Sequence, residues 1–141
     1  MPFGDAVQRT RAMLSLLASL SLAGCGTAGG DLMVVDRSGS ISGAGLQMRV
    51  IDDGQVECNG TRHDLTSDHL IEAREVVREL GEPARANRSL PPGDPTILRF
   101  RIRTEDGVVG FSDTSPDQPQ VFYRAAQLIR TIAKSACGLA R

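Results

Sequence analysis

The sequence predicts an α+β fold: an antiparallel sheet of about five strands in the order β-β-β-α-β-β-α, with two helices packed on one face. Three observations carry this expectation. Apolar and polar residues alternate over Leu46–Asp52 and Ile97–Arg103, which is the period of a half-buried strand. The pairs Asp53-Gly54, Asn59-Gly60 and Asp106-Gly107 punctuate these stretches, and such dipeptides accept the positive φ of tight hairpin turns. Two other stretches switch to helical spacing and are amphipathic, so they can cover one apolar face of the sheet.

Taken in order, Leu32–Arg37 is a short strand candidate with Met33, Val34 and Val35 at its centre. Leu46, Met48 and Val50 share one face of the next strand, and Gln47 and Arg49 share the other. Gln55–Cys58 returns after the Asp53-Gly54 turn, and Thr61–Leu65 is a further short strand candidate after Asn59-Gly60. Thr66 or Ser67 can cap a helix carrying Leu70, Ala73, Val77 and Leu80 at helical spacing, with Asp68 favourably placed in its first turn. Gly81 and Pro83 are expected to stop this helix, and residues 84–96 to form an irregular, Pro-rich connection. Leu98, Phe100 and Ile102 then oppose Arg99, Arg101 and Arg103 on one strand, and Val108–Ser112 pairs back after Asp106-Gly107. A last helix is expected over Val121–Ala136, with Phe122, Leu128, Ile129 and Ile132 among its apolar residues.

The length of 141 residues suits one domain, and 40% hydrophobic with 23% charged residues is an ordinary globular mixture. Sixteen basic residues stand against seventeen acidic ones, so neither a nucleic-acid binder nor an acidic tail is indicated. Aromatics are 4% of the chain, with no Trp and one Tyr, which argues against base-stacking platforms.

The N-terminal segment reads as an address. Arg9 and Arg11 precede a weakly polar stretch from Ala12 to Ala23. A membrane-spanning helix needs about 20 apolar residues, so this one is too short to stay as an anchor. A basic region, a short apolar region and small residues at the exit describe a secretory signal. The exit, Leu22-Ala23-Gly24-Cys25, resembles the bacterial lipoprotein signal. That resemblance implies a lipid-bearing thiol at Cys25, which would become the first residue after cleavage. It divides the chain into a signal peptide at 1–24, a flexible Gly-rich tether at 25–30 and a single domain at 31–141. The expected location is extracytoplasmic, with the lipid bilayer as a partner through acylated Cys25.

Cys58 and Cys137 remain. In an oxidising compartment two thiols invite a disulfide; the alternative is two separate buried thiols.

Candidate chemistry is thin. His63, Asp64, Asp68 and His69 are the only cluster with metal-ligand character, but their spacing matches no zinc motif. No nucleophile elbow, phosphate loop or spaced carboxylate pair is present. The chain is therefore read as a non-enzyme with no catalytic residue, metal or cofactor. Arg49, Arg99, Arg101 and Arg103 form a candidate basic face, either binding an acidic partner or lying as a solvated, cross-paired row. The segment Arg37-Ser38-Gly39-Ser40-Ile41-Ser42-Gly43 is a candidate partner-binding loop. Its one apolar residue, Ile41, either projects as a tip or folds back on the core edge.

The Arg-Ser-Gly-x-x-x-Gly segment, followed by strands, a helix, a Pro-rich connection, a hairpin and a final helix, resembles the emfourin family over roughly residues 31–136. That resemblance implies a small protein inhibitor of thermolysin-like metalloproteases, with a secreted metalloprotease as partner and Ser38, Gly39, Ser40, Ile41, Ser42 and Gly43 at the contact. The family's loop usually reads Ser-Gly-Gly-Phe-Ala-Gly. Here Ser38, Gly39 and Gly43 are kept, and Ser40, Ile41 and Ser42 stand between them. The alternative function is a structural or ligand-binding envelope lipoprotein using the arginine face.

Overall fold

A computed structural model describes residues 29–140. The signal and lipidation readings, Cys25 included, lie outside the described residues. Eight elements follow one another: β1 (Asp31–Gly39), β2 (Leu46–Ile51), β3 (Gln55–Cys58), β4 (Thr61–Asp64), α1 (Ser67–Arg85), β5 (Leu98–Thr104), β6 (Gly107–Ser112) and α2 (Gln120–Ser135). The fold is α+β as expected, and the sheet has six strands, because Thr61–Asp64 forms a strand of its own.

The sheet order is β4-β3-β2-β1-β5-β6, antiparallel throughout. Four of its five pairings join sequence neighbours. The fifth joins β1 to β5 across α1 and makes β1 a central strand. The outer edge of β6 is covered by the connection after α1. The Leu90 amide donates to the Gly110 carbonyl at 2.8 Å, and the Gly110 amide donates to the Arg88 carbonyl at 3.0 Å. Residues 88–90 are thus less irregular than expected: they occupy the backbone groups of an edge that would otherwise invite foreign strands. The β4 edge is short and carries Arg62 and Asp64, which discourages pairing in another way.

Both helices lie on one face and cross the strands in opposite directions. α1 starts beside the β2–β3 turn, where Arg74 pairs with Asp52 at 2.6 Å, and ends beside the β5–β6 turn, where Arg85 pairs with Asp106 at 2.9 Å. α2 starts over β6 and ends over β3. Phe122 in its first turn stacks on Phe111, with ring centroids 4.7 Å apart. Beyond its last turn, the sulfurs of Cys137 and Cys58 lie within bonding distance, with Cα atoms 6.1 Å apart. That Cα spacing suits a disulfide. Arg124 on α2 bonds Glu79 and approaches Glu75 at 3.7 Å on α1. Between the layers lies the core, with Met33, Val35, Met48, Val50, Ile102, Leu80 and Leu128 among its fully buried residues.

Several boundaries differ from the sequence expectation. Helix α1 runs through Gly81 and Pro83 to Arg85. Both residues are buried, and Pro83 sits in the last turn, where few further amides depend on the ladder it interrupts. Just beyond its end at Arg85 and its cap at Ala86, Asn87 turns the chain away with a φ of 47°. At Asp53-Gly54 the hairpin holds three residues rather than two, since Ile51 pairs with Gln55 and only Gly54, at φ 91°, takes the left-handed conformation. Asn59-Gly60 is the two-residue turn expected, with φ of 49° and 86°.

Candidate binding groove

The described chain enters at one end of the sheet and its most distinctive loop lies at the other. Gly30 accepts from the Asp52 amide at 3.0 Å, which places the start of β1 beside the β2–β3 turn. β1 then runs nine residues, about 26 Å, before turning into β2.

Ser38 and Gly39 belong to this strand rather than to the loop: they pair with Arg99 and Leu98 on β5. The loop proper spans residues 40–45. Gly39 and Gly43 each have a physical reason. A Cβ on Gly39 would sit 2.2 Å from the Ile97 carbonyl oxygen. Gly43 has a φ of 77°, which an L side chain strains to adopt.

Arg37 sets the loop's shape. In a strand that alternates Met33, Val35, Arg37 toward the core, it is the one charged member, and it is 4% exposed. Its Nε donates to the Ala44 carbonyl at 2.9 Å and its Nη2 to the Gly43 carbonyl at 3.2 Å. Burial, reinforced by repulsion from Arg130, pushes its pKa down from the ordinary arginine value. The loop carbonyls stabilise the guanidinium, and it holds them in turn. Arg37→Ala is expected to cost about 2 kcal/mol, because two loop carbonyls lose a charged donor. Urea denaturation measures that loss, and faster limited proteolysis within residues 40–45 locates it. Arg37→Lys should rescue little, since one ammonium does not reproduce the guanidinium fork.

Ile41 is half-buried rather than a free tip. It lines a hollow of about 390 Å³ with Ile97, Leu98, Asp113, Arg130 and Lys134. Asp113, Arg130 and Lys134 also line a second, larger hollow of about 810 Å³ along α2, floored by Phe111 and Ala126 and walled by Tyr123. The two form one groove at the loop end of the molecule. Its composition is an apolar floor with charged groups on its rim. Asp113 Oδ1 accepts from the Ile97 amide at 3.2 Å, which fixes the loop before β5. Among the described residues neither Arg130 nor Lys134 makes an ion pair. Tyr123 is 50% exposed and Ile97 42%, so apolar surface is offered to solvent here.

Of the groove's α2 residues, Ala126 belongs to the apolar stripe expected for that helix, and the others lie off it. Tyr123, Gln127, Arg130 and Lys134 recur at helical spacing on another face and were legible as a second stripe. The inward position of Arg37 was also legible, from the alternation alone.

Arg49, Arg99, Arg101 and Arg103 all lie exposed on the sheet face opposite the helices. Arg49 approaches Asp31 at 3.6 Å. Among the described residues the other three make no ion pair, so the row is not cross-paired in the way surface ladders often are. Cys58 and Cys137 are brought together, whereas His63 and His69 fall on β4 and α1. Among the described residues no group of three or more His, Cys, Asp or Glu is placed to hold a metal ion. Among them, too, no helix is long and apolar enough to cross a membrane.

No protein-family model, curated protein or solved structure matches the chain.

Proposed function

We propose that the protein is a lipid-anchored, extracytoplasmic binding domain that acts by protein–protein contact at the loop end of its sheet, with no catalytic role. The observation carrying this reading is the buried Arg37 clamp on Gly43 and Ala44. A loop already held in one shape loses little entropy on binding, which favours recognition. The apolar groove beside it supplies area, and Arg130 and Lys134 supply electrostatic selectivity toward an acidic partner segment.

The anchor rests on the Leu22-Ala23-Gly24-Cys25 signal. The Cys58–Cys137 pair supports the same compartment, since disulfides persist where the medium is oxidising. An acyl anchor at Cys25 would hold the start of β1 within about 20 Å of the bilayer, the reach of six extended residues. The loop end, at the far end of β1, would then stay accessible to partners arriving from outside.

The family resemblance of the Ser38–Gly43 segment makes a thermolysin-like metalloprotease the partner of choice. Residual peptidase activity, measured after mixing the full chain with such enzymes, tests it. Inhibition at micromolar concentration is expected, weakened roughly thirtyfold by Ile41→Asp, the size of an interface anchor of about 2 kcal/mol. Undiminished peptidase activity across several such enzymes would remove the protease as partner.

A further inference from the structure

Three arginines on one strand, pointing away from the helices, have no part in the groove. Arg99, Arg101 and Arg103 occupy alternate positions of β5, so their charges rise about 7 Å apart along a line. Their neighbours across the sheet do not neutralise them. On the β6 side they face Ser112, Gly110 and Val108. On the β1 side they face Ser38, Asp36 and Val34, so one carboxylate stands among them. Farther out, Asp31 and Glu57 are taken up by Arg49 and Arg62 at 3.6 Å each. The open face therefore carries an excess of positive charge, although the whole chain is formally −1.

The position of this face relative to the chain's entry point says what meets it. β5 is hydrogen-bonded directly to β1, the strand on which the N-terminal segment arrives, and Arg103 pairs with Val34, three residues into that strand. A lipid at Cys25, six residues before Asp31, keeps Arg103 near the headgroups, and a sheet lying flat on them brings Arg101 and Arg99 to the same surface. Such tethering raises the local concentration of an anionic surface at this face above any soluble competitor.

We propose that the Arg99–Arg101–Arg103 row is a membrane-contact face that binds anionic lipid headgroups and lays the open side of the sheet against the bilayer. The inference rests on the lipid-anchor reading for its geometry and on the charge pattern for its chemistry. The lipid of a lipoprotein carries more than one chain and so fixes the domain at the surface, and a basic patch then sets which face meets the headgroups. The helical layer, with α2 and the groove at its loop end, is then turned toward the aqueous side.

The test uses the full chain carrying Cys25→Ser, so that no acyl group contributes, in cosedimentation with vesicles. Neutral phosphatidylcholine vesicles are compared with vesicles containing 30% phosphatidylglycerol, by analogy with anionic leaflets. Binding to the anionic vesicles is expected to exceed neutral binding by about tenfold at low salt and to fall to the neutral level at high salt. The triple variant Arg99→Glu, Arg101→Glu, Arg103→Glu should lose the excess, and Arg101→Gln alone should lose part of it. Helical circular dichroism confirms that the variants are folded. Equal binding to both vesicle types, or an excess that survives in the folded triple variant, overturns the proposal. Tighter binding to soluble polyphosphate than to anionic vesicles overturns it in favour of a polyanion in solution. Failure of the anchor reads out separately, as an unmodified Cys25 thiol in mass spectra of the envelope protein.

Discussion

Reduction of the Cys58–Cys137 pair is expected to lower the stability of the folded domain by about 4–5 kcal/mol. The link spans 79 positions, so it removes much of the freedom of the unfolded chain. It also joins the end of α2 to β3, four strands away from β6 where that helix begins. Domains of this size are stable by only about 5–15 kcal/mol, so the bond would account for a large share. With a urea slope of about 1.5 kcal/mol/M, the midpoint should fall by about 3 M in dithiothreitol. The Cys58→Ala, Cys137→Ala variant should match it. A midpoint unchanged by reductant would mean that the pair contributes little to the fold.

Phe122→Ala is expected to cost about 4 kcal/mol, the range for removing a buried phenylalanine. Phe122 is fully buried in the first turn of α2. It ends a stack of three rings: Phe111 lies 4.7 Å from it and Phe100 lies 5.1 Å beyond. That stack is where α2 meets β6 and β5, and the residue next to Phe122 is Tyr123, a wall of the groove. Truncation should therefore both destabilise the domain and loosen the groove. Thermal unfolding reads the first effect. Faster amide exchange in the first turns of α2, beyond the global loss, reads the second. Phe122→Leu, which keeps most of the volume, should recover much of both.

The parts of this molecule legible from sequence are those fixed by local rules. Alternation located β2 and β5, and helical spacing located α2 to within a residue at each end. What escaped depends on tertiary contact. Gly81 and Pro83 look like helix terminators by intrinsic preference, yet burial against the sheet carries α1 past both. Ser38 and Gly39 read as loop residues until β5, some sixty positions later, pairs with them. The groove was missed for the same reason: Ile41, Asp113 and Arg130 come from three separate segments. No spacing within one segment announces such a meeting.

The central place of β1 carries a mechanical consequence. Its hydrogen bonds run to β2 on one side and β5 on the other. Tension drawn along the strand from its first residue loads both ladders in shear, so their bonds must break together rather than peel open one by one. A molecule tugged at that end resists rupture through its backbone pairing, and the load reaches the opposite end without passing through either helix.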